Sequence, residues 1–291
     1  MAPSLAVVGC GKVGFALGTW LGECGYRLAG FCGRRVESAK KAAGRAGCDM
    51  FTDHPPDVTK EADIVFITTP DGVIGEVCAR IADQDGFKKG ASVLHCSGAL
   101  PSTVMEPAVR SRGAFSGSLH PLQSFASREF EKNPFSGIIA AIEGTGPAAE
   151  TARAAAKALG ARPIDIRTDC KTLYHASAVV ASNYLVTLLD FAFALMEKAG
   201  VPQKDAPDVL KPLINGTLAN IKKSGVEKAL TGPIARGDSA TVERHLKEIG
   251  KKTPKLLGLY KTLGRHTVEL AKAGSALSES AEKKLKALTG D

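Results

Sequence analysis

The chain has 291 residues, enough for two domains that each bury a core. Its formal net charge of +8 is spread along the sequence without a basic-aromatic motif. That pattern argues against nucleic-acid binding and fits a solvated basic surface, or a field that steers an anionic ligand. Seven cysteines with no C-x-x-C pair exclude a zinc ribbon or a disulfide framework and suit a reducing cytosol; no metal is expected. No signal-peptide pattern precedes the first strand, so a cytoplasmic protein is expected.

Ser4–Val8 is a short apolar run that reads as a buried strand, and Gly9-Cys10-Gly11-Lys12-Val13-Gly14 follows at once. Phe15, Leu17, Trp20 and Leu21 then recur at helical spacing, with Gly25 as the stop. Strand, glycine turn and helix is the setting in which G-x-G-x-x-G binds a dinucleotide. Gly9 permits the tight turn, Gly11 lets a pyrophosphate approach the backbone, and Gly14 lets the helix pack on the strand. Lys12 and Val13 belong to the same turn, and the helix N-terminus offers N–H groups to phosphates.

Residues 27–31 form the second strand. About twenty residues after the glycines, an NAD site places an acid for the ribose 2′-hydroxyl. Here the sequence reads Phe31-Cys32-Gly33-Arg34-Arg35. With no acid and two guanidiniums, Gly33, Arg34 and Arg35 fit a 2′-phosphate, so NADP is expected over NAD. The plainer alternative makes both arginines surface residues ahead of a helix over 37–46.

Residues 49–51, 62–68, 91–95 and 114–120 read as further strands, and Asp71 is expected to cap a helix over 72–82. The strand ends deliver Thr68-Thr69-Pro70, His95-Cys96-Ser97-Gly98 and His120 to one rim. Thr68, Thr69, Pro70, Cys96 and Ser97 are expected beside the cofactor. Ser97 and Gly98 can offer a hydroxyl and an N–H to a substrate carboxylate, or simply turn the chain. His120 either faces the nicotinamide and substrate or is a turn histidine held by backbone. Strands over 137–142 and 162–166 flank a helix over 147–159. The alternation defines an α/β fold, a Rossmann-type, doubly wound, mostly parallel sheet over 1–168.

Beyond Thr168 the strand signal stops, and 169–291 reads as all-α. Residues 169–199 form one helix. Its stretch 176–196 approaches a membrane span in length, but Ser177, Ser182, Asn183, Thr187 and Asp190 argue for a soluble helix, buried centrally or in a subunit interface. Lys171, His175, Val179 and Asn183 recur every four residues, which places them on one helix face. Lys171 can hold a carboxylate or donate a proton, His175 can protonate a carbonyl oxygen as hydride arrives, and Asn183 can orient a substrate oxygen. The alternative is a snorkelling lysine, a hydrogen-bonded helix histidine and a packing asparagine. A helix over 206–224 holds Pro212 as a kink or restart. The loop 230–238 projects Arg236, which either clamps a carboxylate or pairs with Asp238. Helices over 240–251, 254–273 and 279–288 close the chain.

Through residues 8–14, 95–100, 117–125, 174–185 and 229–246, the chain resembles a family of two-domain NADP-dependent oxidoreductases. These join a Rossmann-like domain to a conserved helical domain of unknown function, and some members are proposed ketopantoate reductases of the PanG type. The wider superfamily resembles pyrroline-5-carboxylate reductase and the β-hydroxyacid dehydrogenases, and the helical part resembles the C-terminal domain of 6-phosphogluconate dehydrogenase. The resemblance implies a homodimer built through the helical domain. In β-hydroxyacid dehydrogenases a lysine and an asparagine four residues on serve the substrate. Here Lys171 and His175 stand four apart, and Asn183 comes two turns later. The expected activity is NADPH-dependent reduction of a small carboxylate-bearing carbonyl compound, with 2-dehydropantoate as the best-defined substrate. It would lie between the domains near His120, Lys171, His175 and Asn183, with His175 or Lys171 supplying the proton. Reduction of a cyclic imine such as pyrroline-5-carboxylate is a second enzymatic expectation. A non-catalytic NADP-binding sensor is one from another class.

Overall fold

Short apolar runs separated by glycine turns build one eight-stranded sheet in the first of two compact units, Met1–Ala181. The computed structural model describes residues 2–125, 127, 130–274 and 277–290. In chain order the first unit holds β1 (Ser4–Val8), α1 (Lys12–Glu23), β2 (Arg27–Cys32), α2 (Val36–Ala46), β3 (Phe51–Thr52), α3 (Pro56–Thr59), β4 (Ile64–Ile67) and α4 (Ile74–Asp83). It continues with β5 (Ser92–His95), α5 (Glu106–Ser111), β6 (Phe115–Pro121), β7 (Ile139–Gly144), α6 (Gly146–Ala158), β8 (Arg162–Asp165) and α7 (Lys171–Val179).

The strand order is β3-β2-β1-β4-β5-β6-β7-β8. Every neighbouring pair is parallel except β6 and β7. The order reverses between β1 and β4, and an open α/β sheet binds its ligand at the carboxyl ends of the strands around such a point. Alternation along the strands splits the core in two. Leu5, Val7, Phe66 and Leu94 pack with Leu17 of α1, Ala42 of α2 and Ala152 of α6. Ala6, Val8, Val65 and Val93 pack with Ile74, Cys78 and Ile81 of α4 and Val109 of α5.

The ladder also sets the site. It pairs Ile67 with His95, His95 with Ser118, and Ser118 with Glu143. On the second face an apolar row therefore turns polar across β5, β6 and β7.

Asp71 does not cap α4. A 3₁₀ turn over Asp71–Val73 precedes that helix, which has no side-chain cap. The Asp71 carboxylate instead accepts from the Ser97 hydroxyl at 2.7 Å.

The second unit, Ser182–Asp291, is helical. It contains α8 (Leu185–Lys198), α9 (Ala206–Ser224), α10 (Val226–Ala229), α11 (Ser239–Lys252), α12 (Leu257–Ala273) and α13 (Glu279–Thr289). Ile234, Val242, Val268, Ala271 and Leu285 form its core. Pro212 lies inside α9 without ending it. Asp238 caps α11, accepting from the Thr241 N–H at 3.0 Å.

The expected long helix is a helical stretch over Thr168–Lys198, with a π turn at Val180–Tyr184. By length and composition alone it could cross a membrane, with a mean hydropathy of 1.7. The expectation that it is buried in the chain's own core is corrected: only 6% of its apolar window is buried, and Val186 is 66% exposed. The core of the second unit is drawn from α11, α12, α13 and Ile234 instead. The compact units divide at Ala181, beyond the end of the strand pattern at Thr168, because α7 is tied into the sheet through Lys171.

Candidate active site

The turn after β1 is shaped by steric need. Gly9 has φ +109°, and its N–H donates to the Cys32 carbonyl at 2.7 Å. A Cβ at Gly9 would lie 2.7 Å from the Thr68 carbonyl carbon and from the Thr69 nitrogen. At Gly14 a Cβ would collide with the Gly9 carbonyl oxygen and with the Thr68 hydroxyl, which itself donates to that carbonyl at 2.5 Å. At Gly11 nothing lies within 4 Å, so this side of the turn is open. Gly11 is the N-cap of α1, and no side chain caps that helix. Its first N–H groups therefore have no side-chain cap. The Thr69 hydroxyl is buried with no hydrogen-bond partner among the described residues. An open glycine, an uncapped helix start and an orphaned hydroxyl together fit a dinucleotide phosphate. Lys12 is exposed at the helix start, and Arg34 and Arg35 are exposed just past β2, beside Gly33.

The polar row lies at the far end of the sheet. Glu143 is 2% exposed and accepts five hydrogen bonds. Its donors are the Ser102 N–H at 2.8 Å, the Ser102 hydroxyl at 2.9 Å, the Ser118 hydroxyl at 3.1 Å, the Thr168 hydroxyl at 2.9 Å and Lys171 Nζ at 3.3 Å. Burial alone pushes a carboxyl pKa up, but the Lys171 ammonium and these hydrogen bonds outweigh it, and Glu143 is held below its ordinary value. Lys171, 1% exposed, also donates to the Ser118 hydroxyl. Burial pulls its pKa down against the pull of Glu143. The carboxylate has the better side of the pair, since among the described residues it faces five donors and the ammonium two acceptors. His95 completes the row. Its Nδ1 accepts from the Ser97 N–H at 3.1 Å. Burial, then the Lys171 charge, pulls its pKa down to about 3, so the ring is neutral.

Above this row two histidines meet. His120 Nδ1 and the Tyr174 hydroxyl are 2.8 Å apart. The rings of His120 and His175 stand edge to face, with centroids 6.2 Å apart. Gly98 is the floor between them: a Cβ there would lie 2.7 Å from His120 Nε2 and 2.7 Å from His175 Cδ2. Burial, then the charges of Lys171 and His175, pulls His120 down to about 4.

The structure thus brings His120, Lys171, His175 and Gly98 together and puts Gly9, Gly11, Gly14, Thr68 and Thr69 around one turn. Val13 follows Lys12 in the first turn of α1, and Pro70 continues the chain past Thr69. Cys96 is half-buried, and burial pushes its thiol up to about 12, so it is an inert wall. Ser97 departs from expectation. Its hydroxyl donates to Asp71 and accepts from the N–H groups of Ala99 at 3.1 Å and Leu100 at 3.0 Å, and its own N–H is given to His95. Both donors are engaged, so Ser97 shapes the turn that presents Gly98 and offers neither to a carboxylate. Asn183 is exposed within the π turn and belongs, with the exposed Arg236, to the second unit. Glu143, Ser118 and Tyr174 escape sequence reasoning, and His95 is seen there only as a strand end. Glu143 has a visible signal, a single acid in an otherwise apolar strand.

The chain carries a Rossmann-like domain followed by a helical domain. Residues 2–121 match the family model of the Rossmann-like domain, and residues 138–267 match that of a domain of unknown function, DUF2520. No curated protein matches the chain. Among solved structures it is similar to BF3122 of Bacteroides fragilis, provisionally named an NADP oxidoreductase: 25% identity, 92% of this chain and 98% of that one, TM-score 0.74. It is likewise similar to protein TM1727 of Thermotoga maritima: 26% identity, 93% and 99% coverage, TM-score 0.70. An imine reductase of Myxococcus stipitatus in complex with NADP+ shares the fold: 17% identity, 99% and 100% coverage, TM-score 0.63. The fold is that of NAD(P)-dependent reductases.

Proposed function

We propose that the chain is an NADPH-dependent reductase of a small carbonyl compound that carries a carboxylate, with 2-dehydropantoate as the first candidate. One observation carries this reading. The open glycine turn with two arginines beside it and His120 are both set by the carboxyl ends of parallel strands in one sheet, and α7 brings His175 against His120 over Gly98. The likeness to BF3122 supports the choice of cofactor.

NADPH, when bound, supplies the hydride. Gly9 and Gly14 let the turn close against Thr68, the open side at Gly11 makes room for its pyrophosphate, and the start of α1 offers N–H groups. Arg34 and Arg35 pair with the 2′-phosphate, which is what distinguishes NADPH from NADH. Thr69 presents its unused hydroxyl to the same ligand. His175 moves the proton. Its half-buried ring sits at Gly98 and forms no hydrogen bond within the described residues, so it is available to a substrate oxygen. Lys171 is the weaker donor, since its ammonium is sealed against Ser118 and Glu143. The likeness to an imine reductase favours a second reading in which the same proton goes to an imine nitrogen.

The test offers NADPH with a panel of 2-keto acids and cyclic imines to wild type and to His175→Ala, following NADPH oxidation. One class should be reduced, and the variant should lose about 100-fold or more in kcat. Oxidation with no member of the panel, or full turnover by the variant, would overturn the reading.

A further inference from the structure

Tyr174 lies on α7 next to His175 and three residues after Lys171. Its ring meets that of His120 edge to face, with centroids 5.6 Å apart at 85°, and its hydroxyl sits 2.8 Å from His120 Nδ1. The distance fits either direction, and the chemistry of the two atoms favours one: a phenol is a strong donor and a weak acceptor, and the bare nitrogen of a neutral imidazole is a strong acceptor. Burial pushes the Tyr174 phenol up to about 12, so it keeps the proton that it offers to Nδ1. His120 is neutral, as its pKa of about 4 requires. A neutral imidazole that accepts at Nδ1 carries its proton on Nε2.

Nε2 is the atom that lies over Gly98, across from His175. The other groups that act electrically on His120 are Lys171, His175 and Asp71. Lys171 is committed to Ser118 and Glu143, and Asp71 to Ser97, so neither replaces Tyr174 at Nδ1.

We infer that Tyr174 is a positioning residue that fixes His120 as its Nε2–H tautomer, so that His120 presents a neutral hydrogen-bond donor over Gly98. The division of labour follows. His120 holds a substrate oxygen without titrating, and His175 moves the proton. Two titratable groups in different surroundings take different roles. Calling that oxygen a substrate's rests on the reductase reading above; the tautomer does not.

The experiment is nitrogen-resolved NMR of the full-length protein with labelled histidine near neutral pH. The His120 signals are assigned by their loss in His120→Asn. Wild type should show an unprotonated Nδ1 and a protonated Nε2. Tyr174→Phe should shift His120 to a mixture of tautomers and lower kcat roughly threefold to tenfold, the worth of one hydrogen bond, with NADPH affinity unchanged. An Nδ1–H tautomer or an imidazolium in wild type would overturn the inference, whether or not the variant folds. So would a Tyr174→Phe spectrum identical to wild type, or a moved tautomer with unchanged turnover. An intact tautomer lock in a protein that turns over no substrate counts against the reductase reading and upholds the role of Tyr174.

Discussion

Glu143→Ala should cost about 3–5 kcal/mol of stability, and Lys171→Ala distinctly less, about 1–3 kcal/mol. The asymmetry comes from what each change leaves behind. Removing the carboxylate strands a fully buried ammonium whose remaining partner is the Ser118 hydroxyl. Removing the ammonium leaves the carboxylate with four donors, from Ser102, Ser118 and Thr168. Both changes also free the first turn of α7 and with it His175, so activity falls alongside stability. Urea unfolding of the two variants beside wild type measures the order. Equal losses, or a larger loss for Lys171→Ala, would contradict it. The pH dependence has a definite sign. Glu143 is held below its ordinary value of 4.5 in the folded chain, so within that interval the unfolded chain binds more protons. Its contribution is complete above pH 4.5 and is lost as pH falls through the folded value.

His95 makes the protein acid-labile over a wider range. Its ring is fully buried, and its pKa of about 3 lies well under the ordinary 6.5. As pH drops below 6.5 the unfolded chain takes up this proton and the folded chain does not until about 3. The interval corresponds to about 4–5 kcal/mol lost by its lower end. His120, held at about 4, adds in the same direction. His95→Asn keeps an acceptor for the Ser97 N–H and removes the titration. Urea unfolding at pH 7 and pH 4 should show wild type losing about 3 kcal/mol more than the variant between the two pH values. Parallel losses would show that His95 is protonated in the folded chain or exposed to water.

The glycine turn and most strands are legible because their signals are local. Ser4–Val8 is apolar throughout and the glycine spacing follows it at once, although the atoms that demand glycine at Gly9 and Gly14 include those of Thr68, far along the chain. The polar row is not local. His95, Ser118, Glu143 and Lys171 come from four segments, and only the register of β5, β6 and β7 aligns them. Sequence spacing also misleads where the helix changes type. The four-residue repeat from Lys171 to Asn183 assumes α geometry, and the π turn at Val180–Tyr184 breaks it. Ser97 shows the same limit in a turn: its hydroxyl is the kind a carboxylate needs, but the backbone of Ala99 and Leu100 and the Asp71 carboxylate already use it. The long apolar helix reads as buried because composition does not reveal which face the chain itself covers.

If the turn beside Arg34 and Arg35 binds NADPH, those two guanidiniums set the preference over NADH. The most direct measurement is a fluorescence titration of wild type and of Arg34→Ala/Arg35→Ala with NADPH and with NADH. NADPH should bind at least tenfold tighter than NADH in wild type. The double variant should lose roughly tenfold to a hundredfold for NADPH alone, the worth of one or two charge-assisted hydrogen bonds. Binding of neither nucleotide, or NADPH binding that the double variant keeps in full, would contradict this reading of the turn.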